Sequence, residues 1–492
     1  RAADERQRPQ YDESVGESVI EASAMRAAQA GVWDPDVSHE ALPPALLSEE
    51  RPPLQHEARR VEALRRLRLA FSDATKSLNK PSELVGVFER WHFGCLYEAR
   101  SGTRSNDASV DVLIPNAKAP NADAAFIKEL HNVGLEKEKS LTLLEQLRQQ
   151  SANDAAALLS GAGVDMEDRD GTLCKGGKVK APPSLTHDAV EVVDIEPAPN
   201  GKGVLMVRWS SQGKGELPLK INCDHFEKLR QMHSRVVDAS ACQLSLEGRE
   251  GLFRRDLVRL LLRYKALGGS GFQAALGGAA HAALRASFSC GFECFASPLN
   301  ARSVPFCSGF LDVDAPFGSI GSFFDFRPQQ GSFEANPPFV PALVSAMTEH
   351  MRSLLDAAEQ RNAPLLFATI VGASAGMRRS DAWAALLSLA ASPYGRAHWA
   401  IPLHRHGFTE GHAHITPRGE CVRMSSCESA VFIFATSAAA EAFPSTSEKE
   451  AAVRAGLRLS IPTKLHKASK ANKLAHLQKK KRRREAGLTA SS

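Results

Sequence analysis

At 492 residues the chain is long enough for two or three domains, and either half can bury its own core. The 43% hydrophobic content is ordinary for a globular protein, and the absence of any uncharged apolar run of roughly 18 residues argues against a membrane span. A net charge of +5 is too small to establish a nucleic-acid partner, so its distribution matters more. The nine cysteines are scattered without a Cys-x-x-Cys pair, which favours a reducing compartment and disfavours a zinc ribbon or a disulfide framework. An arginine at position 1 reads as the start of a fragment, with any N-terminal signal out of view.

Residues 1–55 are charged, rich in Ala and Pro and weakly periodic, and read as a disordered segment. From Glu57 to about Ala157 the pattern is helical, beginning with Val61, Leu64, Leu67 and Leu69 to Phe71 at spacings of three and four. Ser82-Glu83 precedes a second helix with Leu84, Val87, Phe88 and Trp91, and Leu141–Leu159 makes another amphipathic stretch. Residues 161–181 read as a loop. Val204–Trp209 is an apolar strand that Gly213-Lys214-Gly215 can turn into a second at Leu217–Ile221, followed by a helix at Asp224–His233. The next helix, Leu252–Leu267, sets Phe253, Leu257, Leu260, Leu261 and Tyr264 apart from Arg254, Arg255, Arg259 and Arg263, whose face either meets phosphates or is simply solvated.

From residue 268 short apolar segments at Phe292–Ala296, Leu365–Ile370 and Val431–Phe434 alternate with helical stretches at Ala274–Ala286, Pro341–Glu359 and Asp381–Ala390. That alternation predicts an α/β domain with a largely parallel sheet. The resulting division is a helical domain with a small hairpin over 56–235, the α/β domain over 236–440, and a basic disordered tail over 441–492. Within the tail, residues 464–484 carry ten Lys or Arg and no acid. Such a run suits nuclear import or phosphate binding, or is a solubilising tail.

Asn336-Pro337-Pro338-Phe339, placed after a strand and before the helix at Pro341, carries the chemistry. An [Asn/Asp]-Pro-Pro-[aromatic] loop in that position is a signature of amino-methyltransferases that act on nucleobases and glutamine. An exocyclic amine is a poor nucleophile because its lone pair is delocalised into the ring. The Asn336 oxygen and the Pro337 carbonyl can each accept an N–H bond and favour the pyramidal nitrogen, which is stabilisation aimed at the transition state. Pro337 and Pro338 fix the backbone, and Phe339 offers a face for the base. Alone, the tetrapeptide is equally a proline-rich turn with a buried aromatic. A second segment, Glu293-Cys294-Phe295-Ala296-Ser297-Pro298-Leu299-Asn300, reads as a strand end and polar turn, where open parallel sheets bind ligands. Ser297 and Asn300 can contact the methionine part of a cofactor there. Glu293 is either a partner for a cofactor hydroxyl or amine, or a salt-bridged strand residue.

With these two segments, the sequence resembles the cap-specific adenosine N6-methyltransferases of the phosphorylated-CTD-interacting-factor family. The likeness runs from roughly Val204 to Phe434, more weakly back to about residue 84, and includes Arg263-Tyr264, Gln273, Phe317-Gly318-Ser319, Asp325-Phe326 and Phe408 to His414. It implies a Rossmann-like methyltransferase domain preceded by a mostly α-helical domain, with S-adenosylmethionine as cofactor. The implied substrate is capped RNA beginning with adenosine, methylated at N6 of the 2′-O-methyladenosine beside the 7-methylguanosine cap, in the nucleus. On that basis Asn336, Pro337, Pro338 and Phe339 are the adenine site, and Glu293, Phe295, Ala296, Ser297, Pro298, Leu299 and Asn300 belong to the cofactor pocket. Arg90, in Phe88-Glu89-Arg90-Trp91, and Lys128 stand where the family meets the cap triphosphate, joined by Arg263. Lys128 replaces a family arginine and so lacks the guanidinium fork. Animal members carry a WW module with paired tryptophans, whereas here Trp33 stands alone and Trp91 is the next, so binding to a phosphorylated polymerase tail has no support.

His398, His404, His406, His412 and His414 alternate as zinc ligands can, but the implied chemistry needs no metal, and the reading is a basic loop with no metal and no membrane contact. Cys294 reads as packing. The competing functions are a non-catalytic capped-RNA binder with a methyltransferase fold, and a methyltransferase for internal RNA adenines.

Overall fold

The computed structural model describes residues 51–102, 109–160, 192–198, 203–210, 218–240, 244–268, 271–416 and 422–459. The N-terminal segment before residue 51, the loop at 161–181 and the basic run at 464–484 lie outside the described residues.

Four helices come first. α1 (Leu54–Thr75) buries Leu54, Val61, Leu64, Leu67 and Phe71 along one face. α2 (Pro81–Gly102) and α3 (Pro120–Val133) each begin at proline, whose missing N–H costs nothing in the first turn. Phe71, Phe88, Trp91 and Phe126 meet with ring centroids 5.1 to 5.9 Å apart, in tilted and edge arrangements that aromatic quadrupoles favour. α4 (Lys137–Leu159) closes this group, burying Leu143, Leu147 and Leu158.

An antiparallel sheet of β1 (Val192–Pro197), β2 (Val204–Ser210) and β3 (Leu219–Asn222) follows in that order. The expected hairpin is β2 and β3, and β1 is a strand beyond it. Asn222 caps α5 (Cys223–Ala239) by accepting the His225 N–H at 2.9 Å, and Ser245 caps α6 (Leu246–Leu267) through the Gly248 N–H. Leu257, Leu260, Leu261 and Tyr264 of α6 join the same core as Leu64 and Leu67 of α1. A boundary at 235/236 therefore cuts α5, and the helical unit continues through α6, because the apolar face of α6 is buried on α1.

The rest is mixed α/β. α7 (Gly278–Phe288) leads into β4 (Phe292–Glu293), β5 (Gly331–Ala335), α8 (Pro341–Gln360), β6 (Leu365–Gly372), α9 (Asp381–Ala390) and β7 (Gly395–Ile401). A small antiparallel pair, β8 (Gly407–Thr409) and β9 (Val422–Met424), precedes β10 (Ser429–Ala435). The main sheet has the order β4-β5-β6-β10-β7. β4, β5 and β6 are parallel, but β10 runs antiparallel to both β6 and β7. Four of the five strands, β4, β5, β6 and β7, therefore share one direction, as expected of a largely parallel sheet, and β10 is the reversed strand between β6 and β7, reached from β7 through the β8–β9 excursion without a crossover helix. Along β6 and β10, Phe367, Val371, Phe432 and Phe434 enter the core on one face, and Leu366, Ala368, Ile370, Val431 and Ile433 the core on the other. Both faces are covered, which explains the unbroken apolar runs.

Two expectations change. The strand predicted over 292–296 keeps only two ladder residues, because the chain then leaves β5 and pairs Ala296 with Ser308. The tail predicted from 441 is helical as far as α10 (Ser447–Leu459), which buries Val453 and Leu457 and brings Gly456 against Ala279 and Ala280 of α7.

Candidate active site

β4 and β5 are parallel neighbours in register, Phe292 beside Phe333 and Glu293 beside Glu334. Their following loops, 294–302 and 336–340, therefore leave the sheet at the same end, the carboxyl ends of adjacent strands. In an open α/β sheet that end is where ligands sit. The two sequence segments singled out above are brought together by topology alone.

In the first turn after β5, Asn336 is 9% exposed and its Oδ1 has no hydrogen-bond partner. A buried amide oxygen left without a donor costs about 1–3 kcal/mol, so the fold holds an acceptor ready for a donor it does not itself supply. Pro337 is buried, and the Pro338 carbonyl accepts the Val340 N–H at 2.7 Å, which closes the loop onto the start of α8. The half-buried Phe339 ring lies edge-on to Phe408, centroids 6.3 Å apart. It also lies over Gly372, the last residue of β6, where an added Cβ would stand 2.5 Å from Phe339 Cδ2. Phe408 opens one of the segments that carry the family resemblance, whereas Gly372 was not singled out, although a glycine closing the apolar run Leu365–Val371 is a visible sign of close approach.

The 294–302 loop is braced internally. Ser297 donates from both its N–H (2.7 Å) and its hydroxyl (3.1 Å) to Asn300 Oδ1, and Asn300 Nδ2 donates to the Gln273 carbonyl at 3.1 Å. Phe295 packs against Phe323, Ala296 donates its N–H to Cys307, and Pro298 and Leu299 are buried. In this arrangement the polar side chains of Ser297 and Asn300 shape the loop. The Glu293 carboxylate accepts the Arg302 N–H at 2.7 Å and lies 3.5 Å from His281 Nε2. Burial pushes the Glu293 carboxyl up, against the Arg302 N–H and the Lys228 ammonium. Glu334, also missed from sequence, is buried with Oε1 unpartnered, and burial plus the neighbouring Glu293 raises it far above the usual carboxylate range.

The residues expected at a cap site fare differently. Arg263 is fully buried, forked between Glu57 (2.7 and 2.8 Å) and Asp312 (2.7 and 3.0 Å). This burial places Arg263 in an ion network that ties α1 to α6 and to Asp312. Arg90 is part-buried and pairs with Glu129, while Lys128 on the same helix as Glu129 is exposed. Phe88 and Trp91 belong to the helical core, with Trp91 Nε1 donating to Asp123 at 2.8 Å.

The histidines also separate. His406 is buried between Ser429 Oγ (2.7 Å) and the Pro402 carbonyl, and burial lowers it to about 4. His398 stacks on Phe432, and His414 is buried 6.5 Å from the His225 ring. Among the described residues no group of three or more His, Cys, Asp or Glu is placed to hold a metal, and no helix is long and apolar enough to cross a membrane.

A helical unit joined to a mixed α/β sheet, with two loops converging at the carboxyl ends of adjacent parallel strands, is the architecture of a ligand-handling α/β protein. Residues 228–411, from within α5 to just past β8, match the family described as "Phosphorylated CTD interacting factor 1 WW domain". Relatives include the mRNA (2'-O-methyladenosine-N(6)-)-methyltransferases of Homo sapiens and Mus musculus, each 34% identical over 208 residues. That alignment covers 42% of this chain and 28% of each relative.

Proposed function

We propose that the protein is an S-adenosylmethionine-dependent methyltransferase of Rossmann-like fold that methylates N6 of the adenosine beside the cap of mRNA. The observation that carries the reading is the buried, unpartnered Asn336 Oδ1, held by two prolines beside Phe339 at the end of β5. Its neighbours fit a flat ring bearing an amine: an aromatic face, a fixed acceptor, and water largely shut out. The 297–300 turn at the end of β4 fits as one wall of the cofactor site; the names of the human and mouse proteins supply N6 of a 2'-O-methyladenosine of mRNA as the methylated atom, and the family resemblance supplies its place beside the cap.

When bound, S-adenosylmethionine supplies a methyl group already activated by its sulfonium. The work left to the chain is positional. Asn336 Oδ1 accepts one amine N–H, and the Pro337 carbonyl accepts the other, which draws the nitrogen lone pair out of conjugation. Phe339, seated on Gly372, sets the plane of the base. The amine loses its proton during or after attack, so a strong base is not demanded of the site.

The test is a methyl-transfer assay with nucleoside analysis on capped and uncapped RNA, beginning with A or with G. Capped, A-initiated RNA should be methylated, and the combined variant Asn336→Ala, Pro337→Ala, Pro338→Ala should lose the activity while keeping its fold. Full activity in that variant overturns the reading. Capped-RNA binding without any methyl transfer points to the non-catalytic alternative, and equal transfer to uncapped RNA points to internal adenines.

A further inference from the structure

Lys228 lies on α5, in the helical unit, yet it is 2% exposed and donates from Nζ to the carbonyl of Leu299 at 3.1 Å. Leu299 sits inside the turn after β4. We infer that Lys228 is a positioning residue for the cofactor loop, an anchor through which the helical unit fixes residues 297–302 for S-adenosylmethionine. The inference rests on the assignment of that loop to the cofactor under the function proposed above.

Three observations converge on it. First, the loop is pinned at its return and its middle by different elements. Glu293 holds its far end through the Arg302 N–H at 2.7 Å, and the Ser297 carbonyl accepts the N–H groups of Asn300 and Ala301. Lys228 grips the carbonyl between them from α5, and Asn300 Nδ2 reaches the Gln273 carbonyl beside it. Second, Leu299, Ala301 and Val304 are buried in the core formed by α1, α2, α5 and α6, not in either core of the main sheet. Third, a buried ammonium is expensive, and an exposed alternative is open to most lysines. Burial pulls Lys228 down to about 7 while the Glu293 carboxylate opposes that pull and Arg302 adds to it. His225 and His414 face the same group, and both are held below the usual histidine range by burial, so neither offers a competing positive charge near neutral pH. Burial of this ammonium is costly in its own right. Its use is therefore sought in the loop it holds.

A readout local to the loop gives the test. Lys228→Met keeps the stem and removes the donor. In the full chain Tm is expected to fall, because the Leu299 carbonyl loses its donor and Glu293 its neighbouring cation, which outweighs the relief of one buried charge. Hydrogen exchange at the amides of 299–302 should quicken while the β5 and β6 amides keep their protection. The Kd for S-adenosylmethionine by calorimetry should rise by about 10-fold, the weight of one charge-assisted hydrogen bond. The KM for capped RNA should stay within about twofold, since the adenine loop is not touched. Lys228→Arg, which keeps a donor and a charge, should recover part of the cofactor affinity.

Unchanged exchange at 299–302, or unchanged cofactor Kd despite faster exchange, overturns the role of Lys228. A rise confined to the RNA KM overturns it as well. A wild-type chain that gives no heat with S-adenosylmethionine has a different meaning, because it removes the cofactor site itself and the proposed function with it.

Discussion

Replacing Arg263 by methionine separates two readings of the same arginine. Its guanidinium makes four contacts of 2.7 to 3.0 Å with Glu57 and Asp312, tying α1 to α6 and to the turn that begins at Leu311. Breaking a buried ion pair by removing one partner costs about 3–5 kcal/mol, mostly from the charge left behind. Here the low end applies. Glu57 keeps Arg60, and the Asp312 side chain is 31% exposed and can recover water. A loss of about 3 kcal/mol lowers Tm by roughly 6–12 °C for a cooperative unit of about 150–250 residues. A thermal melt measures that loss, and an RNA titration across salt concentrations measures the other possibility. A phosphate contact would reduce the salt slope by about one, whereas a structural network leaves the slope of the surviving folded protein unchanged. An unaltered melt with a shallower salt slope would refute the burial argument and restore Arg263 to the RNA face.

Gly372→Ala places a methyl group within van der Waals overlap of the Phe339 ring, so the ring must tilt. kcat/KM for capped RNA should fall by about 10-fold or more with a small change in Tm, and full activity would show that Phe339 does not set the plane of the base. Asp314 gives a pH signature. Burial raises its carboxyl to about 7, where Tyr264 donates to Oδ2 at 2.9 Å and Oδ1 has no partner. A folded pKa above the unfolded one places its contribution fully below about pH 4 and withdraws it as pH climbs through about 7. Urea midpoints should therefore decline between about pH 4 and pH 7, and Asp314→Asn should flatten that decline. An equal decline in both proteins would place the titrating group elsewhere.

Much of the site was legible because its signals are local. Proline at 337, 338 and 341 writes both the turn and the start of α8 into five consecutive residues, and the three-four spacing of α1 needs no partner to be recognised. What stayed hidden depends on distance along the chain. Arg263 looks like an exposed helix cation until Glu57, 206 residues away, is set beside it. The direction of β10 is settled by which connection precedes it, and apolar runs carry no direction. α10 was lost in Ala, Lys and Arg because Val453 and Leu457, one helical turn apart, are its buried residues and find their surface on α7. The short β4 reflects Ala296 choosing Ser308 as its neighbour, a choice made by tertiary pairing and not by propensity.

The stretch from Leu299 to Phe317 belongs by sequence order to the sheet domain and by packing to the helices, since Leu299, Phe306, Phe310, Val313 and Phe317 are all buried in the helical core. The two parts of this protein are consequently not interchangeable cassettes. A sheet half grafted onto a foreign partner would carry a row of bare phenylalanines and a slack loop, and a helical half alone would keep an unfilled hollow of the same shape. Divergence in either half is answerable to the other through those few side chains.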